Sequence, residues 1–169
     1  MMSFGAGLFL AFLVVQRLSE LVIARRNTAR LMAAGAQEVA PGHYPLIVAL
    51  HTAWIASLIV FGYGAALHPV WLGLFALLQV LRVWILATLG ARWTTRIIVT
   101  QTPLVVAGPY RWVRHPNYLL VIAEIFVAPM VLGLWQVALI FSVLNALVLS
   151  IRIRAENAAL RPLGGAAPN

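Results

Sequence analysis

The sequence predicts an all-α protein, a polytopic integral membrane bundle of about five transmembrane helices with a cytoplasmic C-terminal helix. Three observations lead to this prediction. Hydrophobic residues make up 63% of the 169 residues and charged residues only 9%, whereas soluble proteins contain about 25% charged residues. The mean hydropathy is +0.94. About five spans of about 20 residues use most of this length, so we predict a single domain over residues 1–169.

Apolar runs separated by polar or basic segments define the predicted elements in chain order. The predicted spans cover about 4–24, 44–66, 70–89, 117–132 and 134–151. The last two are short for membrane spans, and we favour two tilted or short spans over a hairpin that enters the membrane only partway. The apolar run 97–107 is too short to cross, which predicts a surface or re-entrant segment. A polar helix at 152–161 and a frayed tail from Pro162 follow.

The placement of arginine predicts the orientation of the chain. Outside the predicted spans, arginine occurs only after the first span, between the third and fourth spans, and in the C-terminal tail. With five spans these regions share one face, which the positive-inside rule makes cytoplasmic, with the N-terminus outside. This placement also argues against nucleic acid as the partner behind the net charge of +8. Residues 1–24 lack a basic n-region and carry Gln16, Arg17 and Glu20 on one stripe, which predicts a retained helix rather than a signal peptide.

The absence of cysteine and the spacing of histidine argue against disulfides and metal sites. The chain has no cysteine, which excludes disulfides and cysteine-ligated metals. His43, His51, His68 and His115 lack the spacing of metal ligands, so no metal site is predicted. We also predict no catalytic role for His51, which is alone on an apolar helix, or for His68, which lies in the outer turn.

The most informative polar stretch is Gly108–Tyr118, which we call the basic segment. It contains two Arg, one His, two Tyr and one Trp, and polar residues set among membrane segments are costly enough to indicate function. Pro116 suits the first position of a helix, which predicts a helix start there. The free N–H groups of that helix end, beside Arg114 and His115, predict a site for a carboxylate or phosphate.

Charged residues also occur inside predicted spans. Arg82 and Glu124 lie at similar depths, about 10–12 Å from the cytoplasmic face at about 1.5 Å per residue. We predict that they are partners, because pairing avoids the larger cost of an isolated charge. The alternative is that Glu124 faces a substrate cavity and acts on the proton of the substrate. Arg17 and Glu20 in the first span have the same two interpretations.

The basic segment reads Gly-Pro-Tyr-Arg-Trp-Val-Arg-His-Pro-Asn-Tyr and is followed, one predicted hairpin later, by Arg152-Ile-Arg-Ala-Glu156. This pair resembles the signature of the isoprenylcysteine carboxyl methyltransferase family of integral membrane methyltransferases, with its core at 108–161. Four further stretches resemble the bacterial branch often found beside type III polyketide synthases, whose members O-methylate alkylpyrones or alkylresorcinols: Arg17–Glu20, Ala24–Asn27, His43–Pro45 and Leu89–Arg96. One departure is Asn157, where the family usually has a second acidic residue.

The resemblance implies an S-adenosylmethionine-dependent methyltransferase of the bacterial cytoplasmic membrane, which transfers a methyl group to an oxygen of a lipophilic acceptor. The implied acceptors are an alkylpyrone or alkylresorcinol hydroxyl first, an isoprenylated cysteine carboxylate second and a phospholipid amine third. Membrane lipids and a polyketide synthase are the implied partners. The chain lacks a strand followed by a Gly-x-Gly turn, so the cofactor must lie among helix ends rather than in a Rossmann-type site.

The resemblance also implies roles for the residues of the signature. Arg152 and Glu156 are the candidate catalytic residues: Arg152 orients the acceptor oxygen, while Glu156 positions cofactor or acceptor. The candidate cofactor-binding residues are Tyr110, Arg114, His115, Pro116, Tyr118 and Glu156. The candidate acceptor-binding residues are Glu20, Glu124 and Trp93.

Each of these residues also has a structural interpretation. Arg111 and Arg114 are able to bind lipid phosphates, and Trp93 and Trp112 suit interfacial anchors. His115 suits a helix cap, and Arg152 with Glu156 a solvated ion pair. A small transporter or channel is a second functional class, but paired broken helices are not evident. A scaffold subunit is a third, although it does not require the basic segment.

Overall fold

Five helices account for most of the chain in a computed structural model, which describes residues 3–100, 103 and 105–160, with side chains described up to residue 158. They are α1 (Phe4–Ala33), α2 (Tyr44–Gly62), α3 (Pro69–Leu89), α4 (Pro116–Val131) and α5 (Trp135–Leu160). Four segments of the described chain, containing α1, α2, α3 and most of α5, are long and apolar enough to cross a membrane, and α4 is a shorter apolar helix. The predicted all-α membrane bundle is confirmed.

The boundaries of α1 and α5 correct the sequence prediction. α1 continues through the basic stretch 25–30, beyond the predicted span at 4–24, and reaches Ala33. The stretch contains mainly good helix formers and no helix breaker before Gly35, whose positive φ of 86° suits the end of a helix. α5 is likewise one helix across the predicted break at 151–152, because no Gly or Pro lies between Leu134 and Leu160. Arg161 and the predicted tail from Pro162 lie outside the described residues.

The α4–α5 hairpin has one short and one long arm. At about 1.5 Å per residue the 16 residues of α4 extend about 24 Å, less than a hydrocarbon core of about 30 Å. α5 has 26 residues and exceeds that thickness. A turn at Gly133 joins the two helices, with φ of 71° at this glycine, and the Gly133 N–H donates to the carbonyl of Met130. The hairpin therefore places the start of α4 beside the last turns of α5.

A small antiparallel pair of strands lies between the helices. β1 (Gln37–Glu38) pairs with β2 (Ile98–Val99), and Arg96 bonds the Glu38 carboxylate at 2.7 Å. β2 lies in the apolar run 97–107 and is held against the loop that follows α1. Residues 101, 102 and 104 of that run lie outside the described residues.

The core of the bundle is centred on α4, which packs against both α3 and α5. Its Leu120, Ile125 and Val131 are almost fully buried, together with Leu13 of α1 and Trp54 of α2. By contrast, large apolar side chains on the outer faces are exposed, including Leu8, Leu77, Val80, Val83, Val143 and Leu147. Apolar side chains that face outward are expected where lipid, rather than water, surrounds a bundle.

We expect the loops that carry arginine to face the cytoplasm and the N-terminus to lie outside, because the positive-inside rule then holds for every loop of the five-helix arrangement. The chain has no cysteine, so single cysteines report on topology. A cysteine at Ala66, exposed in the loop between α2 and α3, should react with an impermeant maleimide on intact cells. One at Ala158, exposed on the last turns of α5, should react only after permeabilisation. The reverse pattern would contradict the orientation.

Candidate functional site

Tyr118 is the centre of a polar cluster in which the first turn of α4 meets the last turns of α5. The Nε of Arg152 donates to the Tyr118 hydroxyl at 2.9 Å, and this hydroxyl donates to Oε2 of Glu156. A second guanidinium nitrogen of Arg152 donates to the Thr95 carbonyl at 2.6 Å. Arg152 and Glu156 lie on the same face of α5 because they are one helical turn apart. Among the described residues these two charges are linked through Tyr118 rather than by a direct ion pair.

His115 joins the same cluster from the residue before α4. Its ring stacks on Tyr118 with centroids 5.1 Å apart, and its Nδ1 lies 3.9 Å from Oε1 of Glu156. His115 occupies the N-cap position, but its side chain makes no capping hydrogen bond. The predicted helix start at Pro116 is confirmed, and Pro116 is buried. The imidazole is therefore directed to the cluster and not to the helix end.

The other residues of the basic segment divide between the cluster and the surface. Tyr110 is partly buried, in a 3-10 turn at Gly108–Arg111. Burial and, to a smaller extent, the Glu156 carboxylate raise the pKa of Tyr110 to about 12. Arg111 and Arg114 are exposed. Trp112 is 72% exposed and meets Trp84 edge to face at 6.0 Å, as suits an interfacial residue.

We expect the Tyr110 hydroxyl to remain protonated, and so to remain a hydrogen-bond donor, at about pH 11, where an ordinary tyrosine is largely ionised. Tyrosinate absorbance of the folded protein at this pH should then be the same in wild type and in Tyr110→Phe. Because the unfolded chain releases this proton at lower pH than the folded protein does, the free energy of unfolding should fall as pH rises from about 10 to about 12. Tyr110→Phe should make that decrease smaller. A lower tyrosinate absorbance in folded Tyr110→Phe would contradict the assignment.

A cavity of about 350 Å³ adjoins the cluster, and Tyr118 and Arg152 form part of its wall. Most of the wall is apolar and comes from α1, α2, α4 and α5: Val14, Leu18, Ile47, Val48, Leu50, Ile55, Val121, Val148 and Leu149. Trp93 also lies on the wall, is 5% exposed and has a buried Nε1 without a partner among the described residues. The shape and lining suit an apolar molecule with a polar head near Tyr118.

A second polar group lies inside the bundle, where Arg17, Glu20, Arg82 and Glu124 form a charge network. Arg82 Nε donates to Oε1 of Glu124 at 2.7 Å, and its Nη2 contacts the other carboxylate oxygen. Arg17 also donates to Oε2 of Glu124, at 2.6 Å. Glu20 lies 3.0 Å from Arg17 and 2.9 Å from Arg82. The predicted partnership of Arg82 and Glu124 is confirmed, and the two positive and two negative charges of the network cancel.

The network separates the three predicted acceptor-binding residues. Glu124 is 1% exposed, accepts a further hydrogen bond from Gln79 at 3.1 Å, and does not line the cavity. Glu20 reaches the cavity wall, as do Arg17 and Arg82. The structure therefore places Glu20 and Trp93 on the cavity wall, whereas Glu124 is buried away from it.

Three polar residues of the cavity were not predicted to bind anything. His51 of α2, Asn117 of α4 and Asn145 of α5 all line it. Oδ1 of Asn117 is buried and has no hydrogen-bond partner in the part of the chain that is described. The available signal was that His51 and Asn145 each stand in an apolar stretch, where a polar residue is costly, and that Asn117 belongs to the basic segment. The sequence does not show that their helices converge.

Comparison with known proteins identifies the family of this chain. The isoprenylcysteine carboxyl methyltransferase (ICMT) family matches residues 71–162, a region that contains the whole Tyr118 cluster. The protein named "Uncharacterized protein YpbQ" from Bacillus subtilis (strain 168) is 41% identical over 160 residues, which cover 91% of this chain and 95% of YpbQ. No solved structure matches this chain. The chain therefore belongs to the isoprenylcysteine carboxyl methyltransferase family and is a methyltransferase of the membrane.

Proposed function

We propose that this protein transfers a methyl group from S-adenosylmethionine to an oxygen of a lipophilic acceptor held in the membrane. The carrying observation is that Tyr118 and Arg152 belong both to the polar cluster and to the wall of the apolar cavity. An acceptor with its tail in the cavity would bring its polar head to these two side chains. An alkylpyrone or alkylresorcinol is the acceptor that we favour, and an isoprenylcysteine-type carboxylate is the second. We place the site on the cytoplasmic side, where the cofactor is available.

The residues of the cluster fit the cofactor in chemical type. When bound, S-adenosylmethionine supplies a methyl group on a positively charged sulfur. His115 is suited to hydrogen-bond its carboxylate, and Glu156 to bind its ammonium group or ribose hydroxyls. The ring face of Tyr110 attracts a cation such as the sulfonium, whereas the Tyr118 ring already stacks on His115 and lies 5.5 Å from the Arg152 guanidinium. Two buried atoms without partners among the described residues, Oδ1 of Asn117 and Nε1 of Trp93, supply a further acceptor and donor.

Arg152 is placed to orient the acceptor oxygen. A guanidinium has five N–H donors in a fixed plane, and two of those in Arg152 are used by Tyr118 and Thr95. These two bonds fix the plane of the group, and the remaining N–H groups are left for the acceptor. Because methyl transfer depends mainly on holding two reacting atoms in line, this fixed orientation is the main contribution expected from the residue.

The proposal is tested by incubating purified protein in lipid vesicles with methyl-labelled S-adenosylmethionine and 5-pentadecylresorcinol, and then measuring label in the lipid extract. Wild type should transfer label to the extract, whereas Arg152→Ala should transfer little. Arg154→Ala is a matched control, because Arg154 is exposed two residues further along α5. It should retain wild-type transfer. If wild type transferred no label to this acceptor or to lipids extracted from native membranes, the proposed function would be rejected.

A further inference from the structure

His51 has one ring nitrogen held by the backbone and the other available to the cavity. Its Nδ1 lies 2.9 Å from the carbonyl oxygen of Ile47, one turn earlier on α2. A carbonyl oxygen only accepts hydrogen bonds, so Nδ1 carries the hydrogen, and Nε2 of the neutral ring carries a lone pair. No other described residue bonds to Nε2. Since the ring lies on the cavity wall, this lone pair is available to whatever occupies the cavity.

Asn145 supplies a second unused polar group on the same wall. It is 4% exposed and lies on α5, which packs against α2. Its side chain makes no hydrogen bond to another described residue. A carboxamide without a partner is costly among apolar side chains, so its presence in an apolar helix indicates a ligand that pairs with it. His51 and Asn145 therefore mark a polar subsite within the apolar cavity.

The charged and titratable groups around this subsite come from all five helices. They are Arg17 and Glu20 of α1, Tyr44 of α2, Arg82 of α3, Tyr118 of α4 and Arg152 of α5. Glu20 and the two network arginines are already engaged in the ion pairs of the charge network. Tyr118 and Arg152 bond to each other. His51 is thus the cavity residue with a free basic nitrogen among the side chains that the structure describes.

We propose that His51 is the general base of the methyl transfer and that Asn145 binds a second oxygen of the acceptor, which makes the acceptor a hydroxyl compound and not a carboxylate. This inference rests on the proposed function. As the acceptor oxygen forms its bond to the methyl carbon, the bond between that carbon and sulfur breaks, and its electron pair stays on sulfur. The hydroxyl proton passes to Nε2 of His51. The products are a methyl ether, S-adenosylhomocysteine and an imidazolium, which later releases its proton to water.

The same geometry disfavours a carboxylate acceptor. A carboxylate is already ionised at neutral pH and has no proton to lose. It is also an acceptor only, so its oxygens would meet the lone pair of Nε2 without a hydrogen between them. A phenol or enol, by contrast, donates its O–H to Nε2. An unpaired contact of this kind is an effective way to reject the wrong ligand.

The kinetic test compares wild type, His51→Asn and His51→Gln in vesicles with two acceptors, 5-pentadecylresorcinol and S-farnesyl-N-acetylcysteine. Asn keeps a donor for the Ile47 carbonyl, and Gln reaches towards the position of Nε2, but neither takes a proton. Both variants should methylate the resorcinol about 10²–10⁴-fold more slowly, the range typical of a lost general base. Their affinity for S-adenosylmethionine should not change. His68→Gln is the matched control, since His68 is exposed in the turn before α3, and it should keep the wild-type rate.

A binding measurement without cofactor separates proton acceptance from turnover. In protein labelled with ¹⁵N-histidine, the Nε2 signal that is missing from His51→Gln should shift when the resorcinol is added. The farnesylated cysteine should leave it unchanged. Asn145→Leu should raise the KM for the resorcinol about tenfold, the effect of one lost hydrogen bond in a buried site, and should leave cofactor affinity unchanged.

The alkali stability of the product distinguishes a carboxylate acceptor from a hydroxyl acceptor, also when lipids extracted from native membranes are used. Alkali releases labelled methanol from a methyl ester but leaves a methyl ether intact. Alkali-stable label that depends on His51 supports the inference. Alkali-labile label, wild-type rates in both His51 variants, or an unmoved Nε2 signal would overturn it while leaving a methyltransferase in place. Absence of transfer by wild type to every lipid would reject the proposed function and this inference together.

Discussion

Glu124→Ala is expected to lower the free energy of unfolding by about 3–5 kcal/mol, because it leaves two buried guanidinium groups without their shared carboxylate. Glu124 accepts hydrogen bonds from Arg17 and Arg82 and is 1% exposed. Glu20 is then the one carboxylate of the network that remains for two positive charges. Unfolding in mixed micelles, followed by tryptophan fluorescence, measures the change.

A double variant and a surface control show whether the loss comes from an unpaired buried charge. Arg82→Leu with Glu124→Leu removes one charge of each sign and leaves Arg17 with Glu20 at 3.0 Å. It should recover most of the stability, since apolar residues often replace a buried ion pair at little cost. Glu38→Ala is the matched control, because Glu38 pairs with Arg96 where both side chains are partly exposed. Its loss should be about 1 kcal/mol or less.

The opposite result has a clear meaning. If Glu124→Ala were as stable as wild type but did not transfer methyl groups, Glu124 would belong to the chemistry and the alternative interpretation from the sequence would be correct. The double leucine variant would then be inactive as well. Full stability with full activity would show that the network contributes neither to folding nor to transfer.

The helices were predictable because lipid imposes a simple rule on sequence. A span needs about 20 apolar residues, and the runs beginning at Phe4, Tyr44 and Val70 satisfy it in α1, α2 and α3. The predicted end of α1 was wrong because arginine marks the boundary of the membrane but does not stop a helix. The predicted break at 151–152 in α5 was wrong for the same reason. The sequence becomes polar at Arg152, but nothing in it interrupts the helical backbone there.

The Tyr118 cluster was partly predictable for a different reason. Helical spacing brings Arg152 and Glu156 to one face, and Pro116 fixes where α4 starts. Which basic residues turn inward was not readable. His115 stacks on Tyr118 while Arg114, one residue earlier, is exposed. That choice depends on how the 3-10 turn at Gly108–Arg111 packs against α3, a contact between segments distant in sequence.

The charge network and the cavity depend on contacts between helices, which the sequence pattern of a single helix does not reveal. Arg82 and Glu124 were paired from their similar depth alone, and depth follows from counting residues along each span. The inclusion of Arg17 and Glu20 depends on the rotation of α1 about its axis, which tertiary packing sets. His51 and Asn145 share a cavity for the same reason. An isolated polar residue on an apolar helix has no periodic pattern to reveal its partner.

The variants of the Tyr118 cluster should differ in kind. His115→Ala and Glu156→Ala are expected to weaken S-adenosylmethionine binding about ten- to a hundredfold, because each removes a charge-assisted hydrogen bond worth about 1.5–3 kcal/mol. Arg152→Ala should lower turnover by a similar factor and largely spare cofactor binding, since its free N–H groups are assigned to the acceptor. Calorimetric titration of the cofactor into each detergent-solubilised variant measures the first effect, and labelled methyl transfer the second.

The hydrogen bonds of the cluster set the controls for this comparison. Arg152 and Glu156 both bond to the Tyr118 hydroxyl, so removal of either leaves the other one partner short, and circular dichroism must show intact helices in every variant. Tyr118→Phe removes the link while keeping both charges, and it should produce a smaller part of each effect. Arg154→Ala, on the exposed side of α5, should produce neither. Wild-type cofactor affinity in both His115→Ala and Glu156→Ala would refute the assignment, and the basic segment would then be better explained as an anchor for lipid phosphates.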